Sequence, residues 1–243
     1  MGIRTLVIIP TFNEKENIAS FLLDLDEIRG GIFPDYEIDI LNVDDSSPDG
    51  TAEIASQLGL PNFYQIKDRE KVGLGPAYLS GFSWGLLRDY DFFVEVDGDG
   101  SHLVKQLSFL LEASKDADLV IGTRWMPGGE IENWPKYRRV ISRVGTIYAA
   151  KVLKLPFRDL TSGYRVLSRD LLTSLDLRSI STKGYGFQIE IALLAFANGF
   201  SIKEVPITFI ERGAGKSKMS IGIVFEAFSF VTSRAFKRIF DLR

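Results

Sequence analysis

Short apolar runs punctuate the first half of the chain. Five of them, Thr5–Pro10, Glu37–Val43, Phe63–Ile66, Phe92–Val96 and Leu119–Gly122, are rich in Val, Ile, Leu and Phe and mostly do not alternate with polar residues. Strands buried on both faces read this way, as they do inside a covered parallel sheet. Between the runs, apolar residues fall at helical spacing, which predicts helices near 15–29, 51–58, 76–88 and 103–114. Strand–helix repetition predicts an α/β fold with a doubly wound, mostly parallel sheet. Such sheets bind ligands beyond the carboxyl ends of their strands, so the turns there are where chemistry is expected.

Those turns are polar. Pro10-Thr11-Phe12-Asn13-Glu14 follows the first run, and Asp44-Asp45-Ser46-Ser47-Pro48-Asp49-Gly50-Thr51 follows the second. Asp97-Gly98-Asp99-Gly100-Ser101-His102 follows the fourth, and Thr123-Arg124 follows the fifth. Helix capping explains part of this, since Asp and Ser cap helix N-termini well. It does not require two consecutive aspartates, nor an Asp-x-Asp at the end of a strand. Three acidic clusters are therefore expected to converge on one edge of one sheet.

In the second half the pattern changes. Segment 134–158 carries Lys136, Arg138, Arg139, Arg143, Lys151, Lys154 and Arg158 with no acid among them, while Val140, Ile141, Val144, Ile147, Tyr148, Val152 and Leu155 keep helical spacing. Segment 219–240 has a second stripe, Ile221, Val224, Phe225, Phe228, Val231, Ala235, Phe236 and Ile239, opposite Glu226, Ser229, Ser233 and Lys237. By pattern alone the first helix divides evenly between a core-packed helix with a solvated basic face and a membrane-surface helix. Core packing is the default for the second, although its phenylalanines also suit an interface. Pro127-Gly128-Gly129 reads as a loop rather than a boundary, so 1–243 is expected to be a single domain, with 126–243 elaborating 1–125.

Composition narrows the classes. The chain has 243 residues, 45% of them hydrophobic and 25% charged, which suits one large globular domain. It has no cysteine, which excludes disulfides and thiolate chemistry. A single histidine, His102, excludes a multi-histidine zinc site and disfavours a Ser-His-Asp triad. It is expected to be a solvated residue at a helix start. The apolar run after Arg4 is too short for a signal-peptide core, and no stretch reaches the ~18 apolar residues of a spanning helix. The net charge of −3 hides an asymmetry: 7 Lys/Arg against 19 Asp/Glu in residues 1–100, a net −12, and 22 against 13 in residues 101–243, a net +9. An acidic half can hold a metal and a basic half suits phosphates or an anionic surface.

Asp97-Gly98-Asp99 offers the carboxylate oxygens that Mg²⁺ or Mn²⁺ share with a diphosphate, and Gly98 and Gly100 allow close approach. Gly73-Leu74-Gly75-Pro76 lacks the spacing of a P-loop or dinucleotide fingerprint and reads as the start of a helix beside the site. Glu211-Arg212-Gly213-Ala214-Gly215-Lys216-Ser217-Lys218 is a Gly-rich basic loop in which Arg212 and Lys218 could clamp a phosphate.

Taken in order, Pro10–Glu14, Asp44–Thr51, Gly73–Gly75, Asp97–Asp99, Gly122–Arg124, Asp159-Leu160-Thr161-Ser162-Gly163-Tyr164-Arg165, Lys183-Gly184-Tyr185-Gly186-Phe187-Gln188-Ile189-Glu190 and Arg212–Lys218 resemble, nearly end to end, the dolichyl/polyprenyl-phosphate mannose synthases of glycosyltransferase family 2. The resemblance implies a glycosyltransferase-A fold with C-terminal amphipathic helices, and transfer of mannose from GDP-mannose to a polyprenyl phosphate. It implies that Pro10, Phe12, Glu14, Val43, Asp45, Asp97 and Gly98 hold the nucleotide, and that Asp97, Asp99 and Ser101 hold Mg²⁺ or Mn²⁺. Arg124, Arg138, Ser142, Arg212 and Lys218 would hold the lipid phosphate, with Asp99, Arg124, Arg212 and Lys218 nearest the chemistry. Phe12 stands where the family usually has Tyr, and Leu103 where Pro often follows His. The Gln-x-x-Arg-Trp motif of processive polysaccharide synthases is absent. A lipid acceptor shifts both amphipathic helices toward interfacial docking, with the protein peripheral at the cytoplasmic face of a membrane. A membrane-anchoring partner protein is a further expectation, and no nucleic acid is expected. A UDP-glucose donor, a nucleotidyltransferase and a non-catalytic nucleotide-binding subunit stay open as rivals.

Overall fold

The computed structural model describes residues 2–29, 31, 35–67, 73–211 and 221–240. Its strands are β1 (Ile3–Thr11), β2 (Tyr36–Asp44), β3 (Phe63–Ile66), β4 (Phe92–Glu95), β5 (Leu119–Thr123), β6 (Glu130–Glu132), β7 (Arg165–Ser168), β8 (Ile202–Pro206) and β9 (Thr208–Ile210). Its α-helices are α1 (Ile18–Arg29), α2 (Thr51–Gln57), α3 (Leu74–Leu86), α4 (Leu107–Ser114), α5 (Lys136–Leu153), α6 (Arg169–Ser174), α7 (Tyr185–Ala197) and α8 (Ile221–Phe240).

Among the described residues, seven strands form one sheet in the order β3-β2-β1-β4-β7-β5-β8. All neighbours are parallel except β7, which runs against both β4 and β5. The continuous apolar run of β1 has a direct cause. Leu6 and Ile8 pack with α3 and α7 on one face, and Val7 and Ile9 pack with α1 and α4 on the other. All four are fully buried, which is why these positions carry apolar side chains without alternation.

The chain climbs from β1 to β2 to β3 on one side and places β4 on the other side of β1. That reversal makes a crevice at the carboxyl ends of β1 and β4, where open α/β sheets take ligands. The β6–β9 pair and an isolated bridge between His102 and Phe209 extend that edge.

Several boundaries differ from those the sequence predicts. α1 starts at Ile18 rather than 15, because Glu14–Asn17 form a turn in which Asn17 and Ile18 both donate to the Glu14 carbonyl. α3 starts at Leu74, two residues before Pro76, because proline's missing N–H falls in the first turn, where N–H groups lack helical partners anyway. The 103–114 segment enters α4 through a 3₁₀ turn at Val104–Gln106. α5 stops at Leu153, where Lys154 takes a left-handed conformation (φ 56°). β7 opens on the charged Arg165, so it carries no apolar run by which to recognise a strand.

α3 lies close to β1 because it carries glycine where the two meet. A Cβ on Gly81 would stand 2.5 Å from Ile8 Cγ2, and one on Gly85 would stand 2.5 Å from Phe93 and 2.7 Å from Leu6. Alanine would improve helix propensity by ~1 kcal/mol, but overpacking typically costs about 1–3 kcal/mol. Gly81→Ala should therefore give a net loss of stability, read as a lower urea midpoint at unchanged m-value. An equal or higher midpoint would show that α3 can shift away from the sheet.

Candidate functional site

The order β2-β1-β4 places three polar turns side by side. At the β2 end, Asp44 is occupied by its neighbours. Its Oδ2 accepts from Thr11 Oγ1 and from Ser47 Oγ, each at 2.7 Å, and its Oδ1 accepts from the Ser47 N–H at 2.8 Å. Asp45 is buried beside it, its N–H donating to the Thr11 carbonyl at 3.1 Å. Pro10 and Val43 face each other in the β1–β2 register, and Phe12 follows half-buried. Glu14 is buried, donating its N–H to Thr51 Oγ1 and accepting from Asn17 Nδ2, both at 2.9 Å. Five of the seven residues assigned to the nucleotide, Pro10, Phe12, Glu14, Val43 and Asp45, thus lie at the ends of the adjacent strands β1 and β2.

Beyond β4, Gly98 lets the turn lie against β1; a Cβ there would stand 2.8 Å from Ile9 Cγ2. Asp99 is buried and accepts from the Ser101 N–H at 2.9 Å, while the Asp97 side chain stays 34% exposed. Opposite Asp97 lies Gly163, where a Cβ would come 3.4 Å from the Asp97 Oδ2 oxygen. A side chain there would fill the space in front of the carboxylate. Among the described residues, no three His, Cys, Asp or Glu side chains form a metal cage. A partly exposed carboxylate at Asp97, with the buried Asp99 two residues on, suits Mg²⁺ or Mn²⁺ that takes its remaining ligands from a diphosphate and water. Ser101 is buried, its backbone joining Asp99 to Ile210.

His102 is not solvated, contrary to the expectation from sequence. It is 3% exposed, with Tyr164 and Phe209 rings 5.0 and 5.2 Å away and its Nε2 3.9 Å from Asp97 Oδ2. Its bridge to Phe209 draws it under β9. Burial lowers its pKa to about 4, so it sits in the site as a neutral ring.

On the basic side, Arg124 follows β5 and is buried. Its Nε donates to Asp159 Oδ2 at 2.7 Å and its Nη2 to Asp159 Oδ1 at 2.8 Å, with Thr161 Oγ1 at 3.0 Å. The guanidinium also lies 5.5 Å from the Trp134 and Phe209 ring centroids. Burial opposes ionisation of Asp159, but the adjacent Arg124 overrides it and holds the carboxyl below the usual carboxylate range. Arg138 on α5 pairs with Glu211 at 2.6 Å. Arg212 and Lys218 lie outside the described residues.

Arg124 also lines a cavity of about 110 Å³ between α5, α7 and α8. Ile141, Ser142, Gly145, Tyr148, Tyr185, Ile189, Val224 and Phe228 form most of its wall, so Ser142 belongs to the same space as Arg124. The two amphipathic helices do not bury their apolar stripes. On α5, Val140 and Val144 are 60% and 59% exposed; on α8, Phe225 and Phe236 are 69% and 58% exposed. Among the described residues of the α8 stripe, Val224, Phe225, Phe228 and Phe236 are therefore not core-packed, while Val231 is buried. Polar side chains tie α8 inward instead. Arg234 donates to Glu190 at 2.8 Å, and Glu226 accepts from the Lys183 N–H at 2.5 Å.

Sequence reasoning did not assign Asp159 as the partner of Arg124, Glu211 as the partner of Arg138, or Trp134 and Tyr185 as cavity walls. The motifs holding Asp159 and Tyr185 stand out in the sequence, but nothing along the chain marks which residues they meet.

A family model described as "Glycosyl transferase family 2" matches residues 6–175. The chain is 48% identical over 231 residues to an undecaprenyl-phosphate mannosyltransferase of Micrococcus luteus, covering 94% of this chain and 93% of that one. It is 46% identical over 228 residues to a polyprenol monophosphomannose synthase of Mycolicibacterium smegmatis, covering 92% and 84%. Among solved structures, glucosyl-3-phosphoglycerate synthase from Mycobacterium tuberculosis in complex with Mn²⁺, uridine-diphosphate and phosphoglyceric acid superposes with a TM-score of 0.71 over 96% of this chain and 79% of that one, at 20% identity. At that identity the likeness speaks for the fold, which is of the glycosyltransferase-A kind.

Asp159→Asn would leave the buried Arg124 without its counter-charge, a loss of about 3–5 kcal/mol. The folded pKa of Asp159 lies below its unfolded value of ~3.9, so this stabilisation is complete above that value and is lost as pH falls through the folded pKa. Thermal melts from pH 7 to pH 2 should show the gap between wild type and Asp159→Asn closing in acid. A constant gap would mean that the charge of Asp159 is not what the pair contributes.

Proposed function

The chain belongs to glycosyl transferase family 2, and from that premise we propose that it transfers mannose from GDP-mannose to the phosphate of a polyprenyl phosphate, working at a membrane surface. The observation that carries this reading is the apolar cavity between α5, α7 and α8 whose lining includes the cationic Arg124. A lipid phosphate needs those two things together: an apolar wall for its first isoprene units and a cation for its head.

The acceptor's chemistry fits what the site contains. An alcohol acceptor requires a general base, but a phosphate oxygen is already anionic near neutral pH. The requirement is instead to hold two anions together, which is an electrostatic task. Pro10, Phe12, Glu14, Val43 and Asp45 hold the nucleotide at the β1 and β2 ends. Asp97 and Asp99, with Ser101 beside them, would hold the divalent ion, which would supply charge stabilisation to the departing diphosphate. Arg124, Arg138 and Ser142 take the acceptor side, together with Arg212 and Lys218. A phosphate oxygen of the lipid attacks the anomeric carbon in line. The bond from that carbon to the diphosphate oxygen breaks, and its electrons leave with GDP. Inversion yields a β-mannosyl phosphopolyprenol.

Among the described residues, no helix is long and apolar enough to cross a membrane. The exposed stripes of α5 and α8 would supply the contact instead, with Lys136, Arg139 and Lys151 exposed on α5 to meet anionic headgroups.

A donor panel tests the reaction: GDP-mannose and UDP-glucose, each with polyprenyl phosphate and Mg²⁺ or Mn²⁺. Mannolipid should form from GDP-mannose alone, and Asp99→Ala should lower kcat by about 10²-fold or more, the scale of losing a transition-state charge contact. Product from UDP-glucose in place of GDP-mannose would overturn the donor assignment.

Docking is tested with vesicles of anionic and zwitterionic lipid. Burying a phenylalanine contributes about 1.5–3 kcal/mol, so Phe225→Ser with Phe236→Ser should weaken partition into anionic vesicles at least ~10-fold. Turnover of a short, water-soluble acceptor should be unaffected. Unchanged partition would remove α8 from the membrane contact.

A further inference from the structure

Arg165 heads the fully buried side chains by volume, and it carries a charge. It opens β7, the one strand of the main sheet that runs against its neighbours. Its register partners are Glu95 on β4 and Ile121 on β5. Following those strands outward, Glu95 leads to Asp97 and Ile121 leads to Arg124. Arg165 therefore stands at the seam between the carboxylate side of the site and its cationic side.

Each guanidinium nitrogen has a carbonyl partner. Nε donates to Ser162 O at 2.9 Å, Nη2 to Leu160 O at 2.9 Å and Nη1 to Gln188 O at 2.7 Å. The first two carbonyls belong to the loop 159–163, and the third to α7. Buried carbonyls of an irregular loop need partners, and a planar fork with diverging donors supplies several at once. The loop so held acts in two directions. Asp159 and Thr161 grip Arg124, and Gly163 faces the Asp97 carboxylate closely enough that a Cβ would come 3.4 Å from its Oδ2.

We propose that Arg165 is a positioning residue: it clamps the loop 159–163 and thereby sets the spacing between Asp97 and the Arg124 guanidinium, the two sides that must hold two anions at once. This rests on the reading of Asp97 and Arg124 given under the proposed function. Arg165 is fully buried, so it has no surface to offer substrate or metal. Lysine keeps the positive charge opposite Glu95 but offers no planar fork, so the loop carbonyls lose partners.

The test compares wild type, Arg165→Lys and Gly163→Ala in four measurements: Mn²⁺ binding by calorimetry, kcat with both KM values, thermal stability, and the Arg124 Nε–H resonance by NMR without ligands. Displacing reacting groups by a fraction of an ångström already costs rate, so Arg165→Lys, assayed well below its melting temperature, should lose about tenfold or more in kcat. Its Mn²⁺ affinity should fall and the Arg124 resonance should move. A lower melting temperature with kcat, Mn²⁺ affinity and resonance all retained, to within about twofold for the first two, would reduce Arg165 to a stabilising residue and overturn the proposal. If Arg165→Lys does not fold, Gly163→Ala decides. Its methyl would lie 3.4 Å from Asp97 Oδ2, an ordinary contact that the fold accommodates. It should weaken Mn²⁺ binding at unchanged thermal stability, and an unchanged Mn²⁺ affinity would sink the loop's hold on Asp97. A wild type that transfers no mannose would defeat the functional reading alone, because the Arg124 resonance reports positioning without any ligand.

Discussion

Arg124 and Asp159 are separated by 35 residues of sequence and meet as a buried, two-pronged pair. A pair of this kind adds little net stability, since desolvating both charges offsets most of their attraction, while breaking it is expensive. Its consequence is geometric. The fork fixes the direction of the guanidinium, and Asp159 fixes the height of the loop that follows it. Arg124 reaches the cavity wall only because Asp159, Thr161 and the Trp134 and Phe209 rings hold it there.

That pair depends in turn on β7. An all-parallel sheet would place β4 beside β5 and leave no loop between the carboxylate and cationic ends. Inserting one reversed strand brings the 159–163 loop to the same edge as the Asp97 turn and the Arg124 turn. The charge asymmetry of the chain then has a spatial meaning. Acidic turns from the first half and basic residues from the second face each other across that strand, the arrangement that the proposed joint hold on a metal and more than one phosphate requires.

The two amphipathic helices show the opposite logic to a core helix. α8 attaches through Arg234 and Glu226 and leaves phenylalanines in the open. Tyr148 of α5 stacks on Phe228 of α8, with ring centroids 4.9 Å apart, and shares a hydrogen bond with Thr232, so the helices form a joined apolar surface. An apolar area exposed on two neighbouring helices marks an interaction surface rather than scattered surface residues.

Periodicity made the first half legible. The runs at Thr5–Pro10, Glu37–Val43, Phe92–Val96 and Leu119–Gly122 are strands of the sheet interior, where burial on both faces favours apolar sequence and leaves its mark locally, while Phe63–Ile66 is the half-buried strand at the sheet edge. The position of Asp45, Asp97 and Asp99 at strand ends followed from the same rule. By contrast, β7 begins with a buried arginine, His102 is enclosed by residues far along the chain, and α8 turns Glu226 and Arg234 toward the segment of α7. None of these leaves a local signature, because the partners that reverse the usual preference are supplied by other segments. The sequence by itself determined the strands, the acidic turns and the amphipathic character of α5 and α8. Only the tertiary structure decided which face of each helix is covered, which carboxylate holds Arg124 and where the lone histidine sits, because those outcomes depend on contacts between residues tens of positions apart.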